Sequence, residues 1–254
     1  MSTDKKMRGE KSANDGRESL EKFSVKRYSR GEQYVGTVKN GMKHGVGLMV
    51  YDRHYAYLGE WENNRYHGWG ILITSPTCYH IGHFRKGAAS GPGLCRKPDG
   101  QYVGDWREGK PLGVGENITP LQTMLGEYHA GQLQGFCHIT NRTPPTTHAG
   151  WFINDEPAGV SVLTAAPLMF IGSLTIYGKQ GPGALLINDD LIFKGKFHRN
   201  RPKGICMMCE GTSIYEGHLY FGDRHDTGRE TRGAREEYVG QWAHDMREGR
   251  GREK

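Results

Sequence analysis

This sequence predicts an all-β fold, an elongated and twisted solenoid of about ten stacked β-hairpins. Three observations lead there. A glycine with an aromatic or other bulky residue two positions before and two after it recurs every 22 to 24 residues. Five positions after that glycine the chain carries Gly, Asn or Asp in nine copies of ten. Nine positions after it stands a further glycine, again in nine copies of ten.

The anchors are Gly36, Gly59, Gly82, Gly104, Gly126, Gly150, Gly172, Gly195, Gly217 and Gly240. Each slot around them predicts an element. Bulky residue, glycine and bulky residue at alternate positions share one face of a first strand. The glycine between them leaves room for a ring from a neighbouring strand. Gly, Asn or Asp at the fifth position supplies the positive φ of a tight hairpin turn. A Gly-x-Gly then returns the chain into a second strand, apolar in the better copies: Leu48-Met49-Val50, Ile71-Leu72-Ile73, Ala184-Leu185-Leu186-Ile187. One hairpin is marginal in water, so the copies must stack.

The ends read differently. Residues 1–22 form a charged tail, expected to be disordered, and 23–254 form the array. Phe23 and Val25, one period before the first repeat, predict a lone capping strand. The longest spacer, around Thr143-Pro144-Pro145-Thr146, predicts a loop. The chain stops three residues after Gly251. The last hairpin is therefore expected to lack most of its second strand, leaving a C-terminal edge for self-association.

Composition excludes several classes. No apolar run approaches the ~18 residues that a membrane-spanning helix needs. The first thirty residues hold nine Lys/Arg against five Asp/Glu, so they contribute +4 of the chain's +6. The remainder is near neutral, and nucleic-acid binding has little support. The N-terminus has no apolar secretory segment, and five cysteines without a disulfide spacing predict a reduced, cytoplasmic compartment.

The chemical motifs are thin. Cys206-Met-Met-Cys209 has no second pair, and Cys206 fills the small-residue slot that Cys137 also fills, which predicts packing. In Cys78-Tyr-His80-Ile-Gly-His83 the two histidines point to opposite faces of a strand, so no metal site is expected. Gly-x-Ser-x-Gly is absent, and Gly-Pro-Gly at 91–93 and 181–183 lacks the lysine of a phosphate loop. No enzyme, cofactor or metal is expected.

Three surfaces remain as candidates. The aromatic row, Tyr34, Tyr57, Trp61, Phe84, Tyr102, Trp106, Tyr128 and Phe152, is either core or the lining of a partner groove. On the opposite side, Val35, Leu58, Ile81, Val103, Leu125, Ala149 and Ile171 precede successive anchors. They form an apolar stripe that is either a contact surface or is covered by returning strands and loops. A partner for one face would be an amphipathic helix. Lys194, Lys196, Arg199, Arg201 and Lys203 cluster in the eighth repeat, as a solvated face or as a contact for an anionic ligand.

Tyr57-Leu-Gly59-Glu-Trp61, with His67-Gly68-Trp-Gly70 after the turn, resembles the MORN (membrane occupation and recognition nexus) repeat. Copies one, two, four and ten carry the pattern best, and copies five to seven match mainly by glycine spacing. The resemblance covers residues 28 to 254. It implies a twisted hairpin array acting as a non-enzymatic scaffold or adaptor in the cytoplasm. The implied partners are proteins of a cytoskeletal, ciliary or flagellar assembly, for example an axonemal helix. The alternative is a membrane-apposed module that binds anionic phospholipid through the basic tail and the eighth repeat.

Overall fold

Alternation within each repeat becomes strand pairing in the computed structural model, which describes residues 21–233 and 236–254. A single strand, β1 (Lys22–Arg27), leads into ten hairpins. The first three are β2 (Gln33–Lys39) with β3 (Met42–Val50), β4 (Ala56–Glu62) with β5 (Arg65–Ser75), and β6 (Cys78–Arg85) with β7 (Ala88–Lys97). The next three are β8 (Gly100–Arg107) with β9 (Lys110–Ile118), β10 (Gln122–His129) with β11 (Gln132–Arg142), and β12 (Pro145–Ile153) with β13 (Glu156–Ala165). Then come β14 (Leu168–Thr175) with β15 (Gly178–Ile187), and β16 (Asp190–His198) with β17 (Arg201–Glu210). The array closes with β18 (Ser213–Tyr220) and β19 (Asp223–Arg232), then β20 (Glu236–Ala243) and β21 (Met246–Glu253). Each strand pairs antiparallel with the strands before and after it in the chain, so the 21 strands make one open meander.

Most hairpin turns place two successive residues at positive φ, the geometry that matches the twist of the flanking strands. Asn63 and Asn64 (49° and 65°) and His244 and Asp245 (49° and 66°) are examples. The seventh hairpin differs, because Tyr177 at the fifth position cannot adopt this conformation cheaply. Gly178 takes the positive φ there, at 89°. The ninth position has positive φ in all ten copies, including Asp226 at 57°, because the returning strand carries a β-bulge there.

Beside the bulge, tyrosine hydroxyls donate to the carbonyl of the residue after the anchor. Tyr34 reaches Thr37 at 2.7 Å, Tyr57 reaches Glu60 at 3.0 Å, Tyr215 reaches His218 at 2.9 Å and Tyr238 reaches Gln241 at 3.0 Å. To get there the ring lies across the second glycine of Gly-x-Gly, where any Cβ would collide with it, as at Gly47 under Tyr34 and Gly70 under Tyr57. The two positions vary together. Every tyrosine in this slot faces a glycine, whereas Cys137, Ser161 and Cys206 face Met124, His148 and Phe193.

Repeats are joined by three kinds of contact. Neighbouring rings meet edge to face, with Tyr57 and Phe84 5.3 Å apart at 89° and Tyr34 and Trp61 5.5 Å apart. Indole N–H groups donate to the preceding repeat, Trp61 to the Gly47 carbonyl at 2.9 Å and Trp106 to that of Gly93 at 3.2 Å. The turns also stack. The Asn64 N–H donates to the Lys43 carbonyl, and the Asn64 side chain accepts from the Lys43 N–H at 2.8 Å. Asp155, Asn200 and Asp245 repeat this side-chain contact on Leu133, Lys179 and Arg224.

Near the C-terminal end the ring face turns ionic. Glu230 is 2 % exposed and accepts from Arg224 at 3.0 Å, Arg232 at 3.1 Å and Arg247 at 2.9 Å. Burial alone would raise its pKa, but the hydrogen bonds and charges of Arg247 and Arg232 hold it below the usual carboxylate value.

Two expectations about the connections need correction. The spacer at 143–146 forms no loop, because β11 is eleven residues long and Arg142 pairs with Pro145 across a tight turn. The last hairpin does not lack its second strand. β21 has eight residues and pairs with β20 from Ala243↔Met246 to Tyr238↔Glu253. The capping strand is present, with Val25 opposite Val35. Of the tail assigned to 1–22, residues 1–20 lie outside the described residues, and Lys22 opens β1.

Candidate interaction surface

The aromatic row is core. Tyr34 and Tyr57 are 0 % exposed, and Trp61, Phe84, Tyr102, Trp106, Tyr128 and Phe152 are all at or below 9 %. They belong to two of three ring-rich clusters, the third running from Phe170 to Trp242. The expectation that these eight residues could line a partner groove is therefore corrected: rings and backbone of the chain itself occupy their surfaces. Burial pushes the Tyr34 and Tyr102 hydroxyls up to about 12, with smaller contributions from Tyr28 and Asp105, as for phenols withdrawn from water.

The opposite face is where apolar surface meets solvent. The residue before each anchor stands directly across from a residue of the returning strand, and the returning strands extend the stripe instead of covering it. The cross-strand register runs Val25, Val35, Leu48, Leu58, Ile71, Ile81, Leu94 and Val103, one aliphatic residue on each of β1 to β8 without a break. Leu58 is 50 % exposed, Ile81 40 % and Leu48 37 %. The row continues through Glu116, Leu125, His138, Ala149, Val162, Ile171 and Ala184 to Lys194, Met207, Glu216, Arg229, Val239 and Arg252.

A second row lies beside it. The middle residue of Gly-x-Gly is apolar and exposed in the first eight copies: Val46, Trp69, Pro92, Val114, Phe136, Val160, Pro182 and Ile205. The bulge turns this side chain outward. Its cross-strand partners include Glu60, His83, Asp105, Glu127, Trp151 and Lys196. Trp69 packs on His83 at 4.8 Å and Phe136 on Trp151 at 6.3 Å. Sequence reading missed this row, although its signal, an apolar x at a fixed offset, was present.

The basic cluster of the eighth repeat is divided. Lys194 and Lys196 project from the outer face. Arg199 sits in a turn with its guanidinium 5.8 Å from the Tyr177 ring, and the Lys203 ammonium lies 5.4 Å from that of Phe221. Arg201 opens β17 and is exposed. Ring contacts thus occupy two of the five. Lys194 instead lines a shallow groove of about 910 Å³ together with Ile205, Met207, Arg229, Val239 and Arg250.

His80 and His83 diverge. His80 packs on Trp106 in the core at 4.9 Å, while His83 meets Trp69 outside. Among the described residues no group of three or more His, Cys, Asp or Glu side chains is placed to hold a metal ion. The His80 Nε2 is buried without a hydrogen-bond partner, and burial lowers its pKa to about 4.

A meander of bulged hairpins, five of the ten holding a tyrosine over a glycine, defines a class of β-repeat arrays. The MORN repeat family model matches residues 34–53, 57–74, 80–101, 102–116 and 238–254. The chain belongs to the MORN-repeat proteins. Such repeats point to a binding or scaffold role, toward protein or lipid. No curated protein matches the chain.

Proposed function

We propose that this protein is a non-enzymatic scaffold that holds protein partners along its outer sheet face, within a cytoskeletal or ciliary assembly of the cytoplasm. The observation that carries the reading is the aliphatic row from Val25 to Val103 on eight adjacent strands, six of its side chains exposed and Val35 and Leu94 half-buried between them. Patches of this extent usually mark contacts. Strands hold the row rigidly, so partners would be set in register along the array.

Protein is favoured over anionic lipid by the charges beside the rows. Within the rows those on β4 to β10 are Glu60, Asp105, Glu116 and Glu127, all acidic, which would repel phosphate headgroups, while Arg85, Arg96 and Arg107 stand at the margins of the same face. The test is a tagged pull-down from source cells after extraction with detergent and then with high salt. Retention through detergent and release with cytoskeletal or axonemal proteins is expected. Release by detergent alone, with lipid-associated proteins, would replace this reading with the membrane one.

A further inference from the structure

One arrangement recurs along the ring face. The ring two positions before an anchor meets, edge to face, the ring two positions after the next anchor. Tyr34 and Trp61 are 5.5 Å apart, Phe170 and Phe197 5.4 Å, and Tyr215 and Trp242 5.5 Å. Over each of these three pairs lies a cation of the chain itself. The Lys43 ammonium is 4.6 Å from the Trp61 centroid, the Lys179 ammonium 5.1 Å from that of Phe170, and the Arg224 guanidinium 4.5 Å from that of Trp242. All three cations occupy one slot, seven residues after the anchor. The quadrupole of a ring face attracts positive charge, most strongly where water is displaced. In the second repeat Tyr66 takes the slot and stacks on Tyr57 at 3.9 Å.

The third and fourth repeats build the same pairs without the cation. The slot holds Ala89 beside His80 and Trp106, then Pro111 beside Tyr102 and Tyr128, whose rings lie 5.1 Å apart at 83°. There the ring row has a gap, a pocket of about 310 Å³ bordered by Tyr102, Trp106, Tyr128 and Pro111. Trp106 is 9 % exposed, against 2 % for Trp61 and 4 % for Trp242, the indoles that Lys43 and Arg224 cover. Asn117 lines the pocket in the slot that carries the Glu230 carboxylate five repeats on, so a polar acceptor stands beside the rings in both places. Lys97 and Asp99, both exposed, line the end away from the hairpin turns and offset one another in charge.

We propose that this pocket binds a small organic ammonium ion, held over the rings where the first, seventh and ninth repeats carry Lys43, Lys179 and Arg224. The rest of the ring row is closed to a protein segment, so the occupant is a free small molecule and not the lysine of a partner. The test titrates the purified full chain with choline and follows the indole N–H signals by NMR, assigned through Trp106→Phe and Trp61→Phe. The Trp106 signal should move saturably while that of Trp61, already under Lys43, stays still. The neutral analogue of choline, with carbon in place of nitrogen, should bind at least about tenfold more weakly.

Two variants, checked for folding by circular dichroism, exchange filled and empty slots. Pro111→Lys supplies the missing cation and should abolish the Trp106 response. Lys43→Ala vacates the first slot and should make the Trp61 signal respond to choline. No saturable shift at Trp106 in wild type, or equal binding of the neutral analogue, would overturn the proposal without recourse to any variant. So would an unchanged response in folded Pro111→Lys. The tripeptide Ala-Lys-Ala binding more tightly than choline would overturn the small-molecule assignment in favour of a lysine presented by a partner.

Discussion

The indole N–H of Trp61 donates to the Gly47 carbonyl at 2.9 Å, and so the second repeat is fastened to the first by a side chain that is 2 % exposed. The same bond recurs from Trp106 to Gly93 and from Trp242 to Gly228. Trp61→Phe keeps a ring in the slot and leaves that carbonyl without its side-chain donor. A loss of about 2 kcal/mol is expected in urea unfolding. A smaller loss is expected for Trp106→Phe, whose bond is longer and whose ring is less buried.

The pairing of tyrosine with glycine predicts opposite outcomes for one substitution at two sites. Phe170 faces Gly183, which leaves room for a hydroxyl to reach the bulge, so Phe170→Tyr should stabilise by about 1 kcal/mol. Phe193 faces Cys206, whose Cβ stands beside Gly195 where a tyrosine would need space, so Phe193→Tyr should destabilise by about 1 to 3 kcal/mol. Adding Cys206→Gly should relieve that cost, and non-additivity in a double-mutant cycle is the readout.

His80 occupies a tyrosine slot in the third repeat, with its ring against Gly93. Its pKa falls from the ordinary 6.5 to about 4 through burial. The unfolded chain therefore binds a proton in a window where the folded chain does not. Stability is lost as pH falls from 6.5 toward 4, at up to about 1.4 kcal/mol per unit, and is level below that as far as this group is concerned. His80→Tyr should stabilise the protein at neutral pH and remove this component. The difference between variant and wild type should widen as pH falls through the window in denaturation curves.

Much of this was legible in the sequence because it is periodic. The anchors, the turn residues and the capping strand around Val25 follow from spacing alone, and so does the divergence of His80 and His83. What spacing could not decide is which face water reaches. Tyr57 and Leu58 are adjacent and both apolar, yet one is 0 % and the other 50 % exposed. The difference arises because the Tyr57 ring lies across Gly70 and is enclosed by Trp61, Tyr66 and Phe84.

Other features were hidden because they break the period. Tyr177 cedes its turn to Gly178, and the extra residues near Pro144 lengthen strands instead of forming a loop. Glu230 stands where Met49 and Leu72 stand in the first two repeats. Its burial depends on arginines at three other positions, and no repeat pattern announces that.

The central claim is that the ring face builds the fold and the outer face meets the partner. The most direct test is Leu58→Lys combined with Ile81→Lys, followed by both thermal unfolding and co-sedimentation with the detergent-insoluble fraction of the source cells. Exposed positions of this kind usually change stability by about 0.5 kcal/mol or less, so an unfolding midpoint within a few degrees of wild type is expected. The variant should stay in the supernatant while wild type pellets. A variant that unfolds early, or one that is folded and still pellets, would contradict the account.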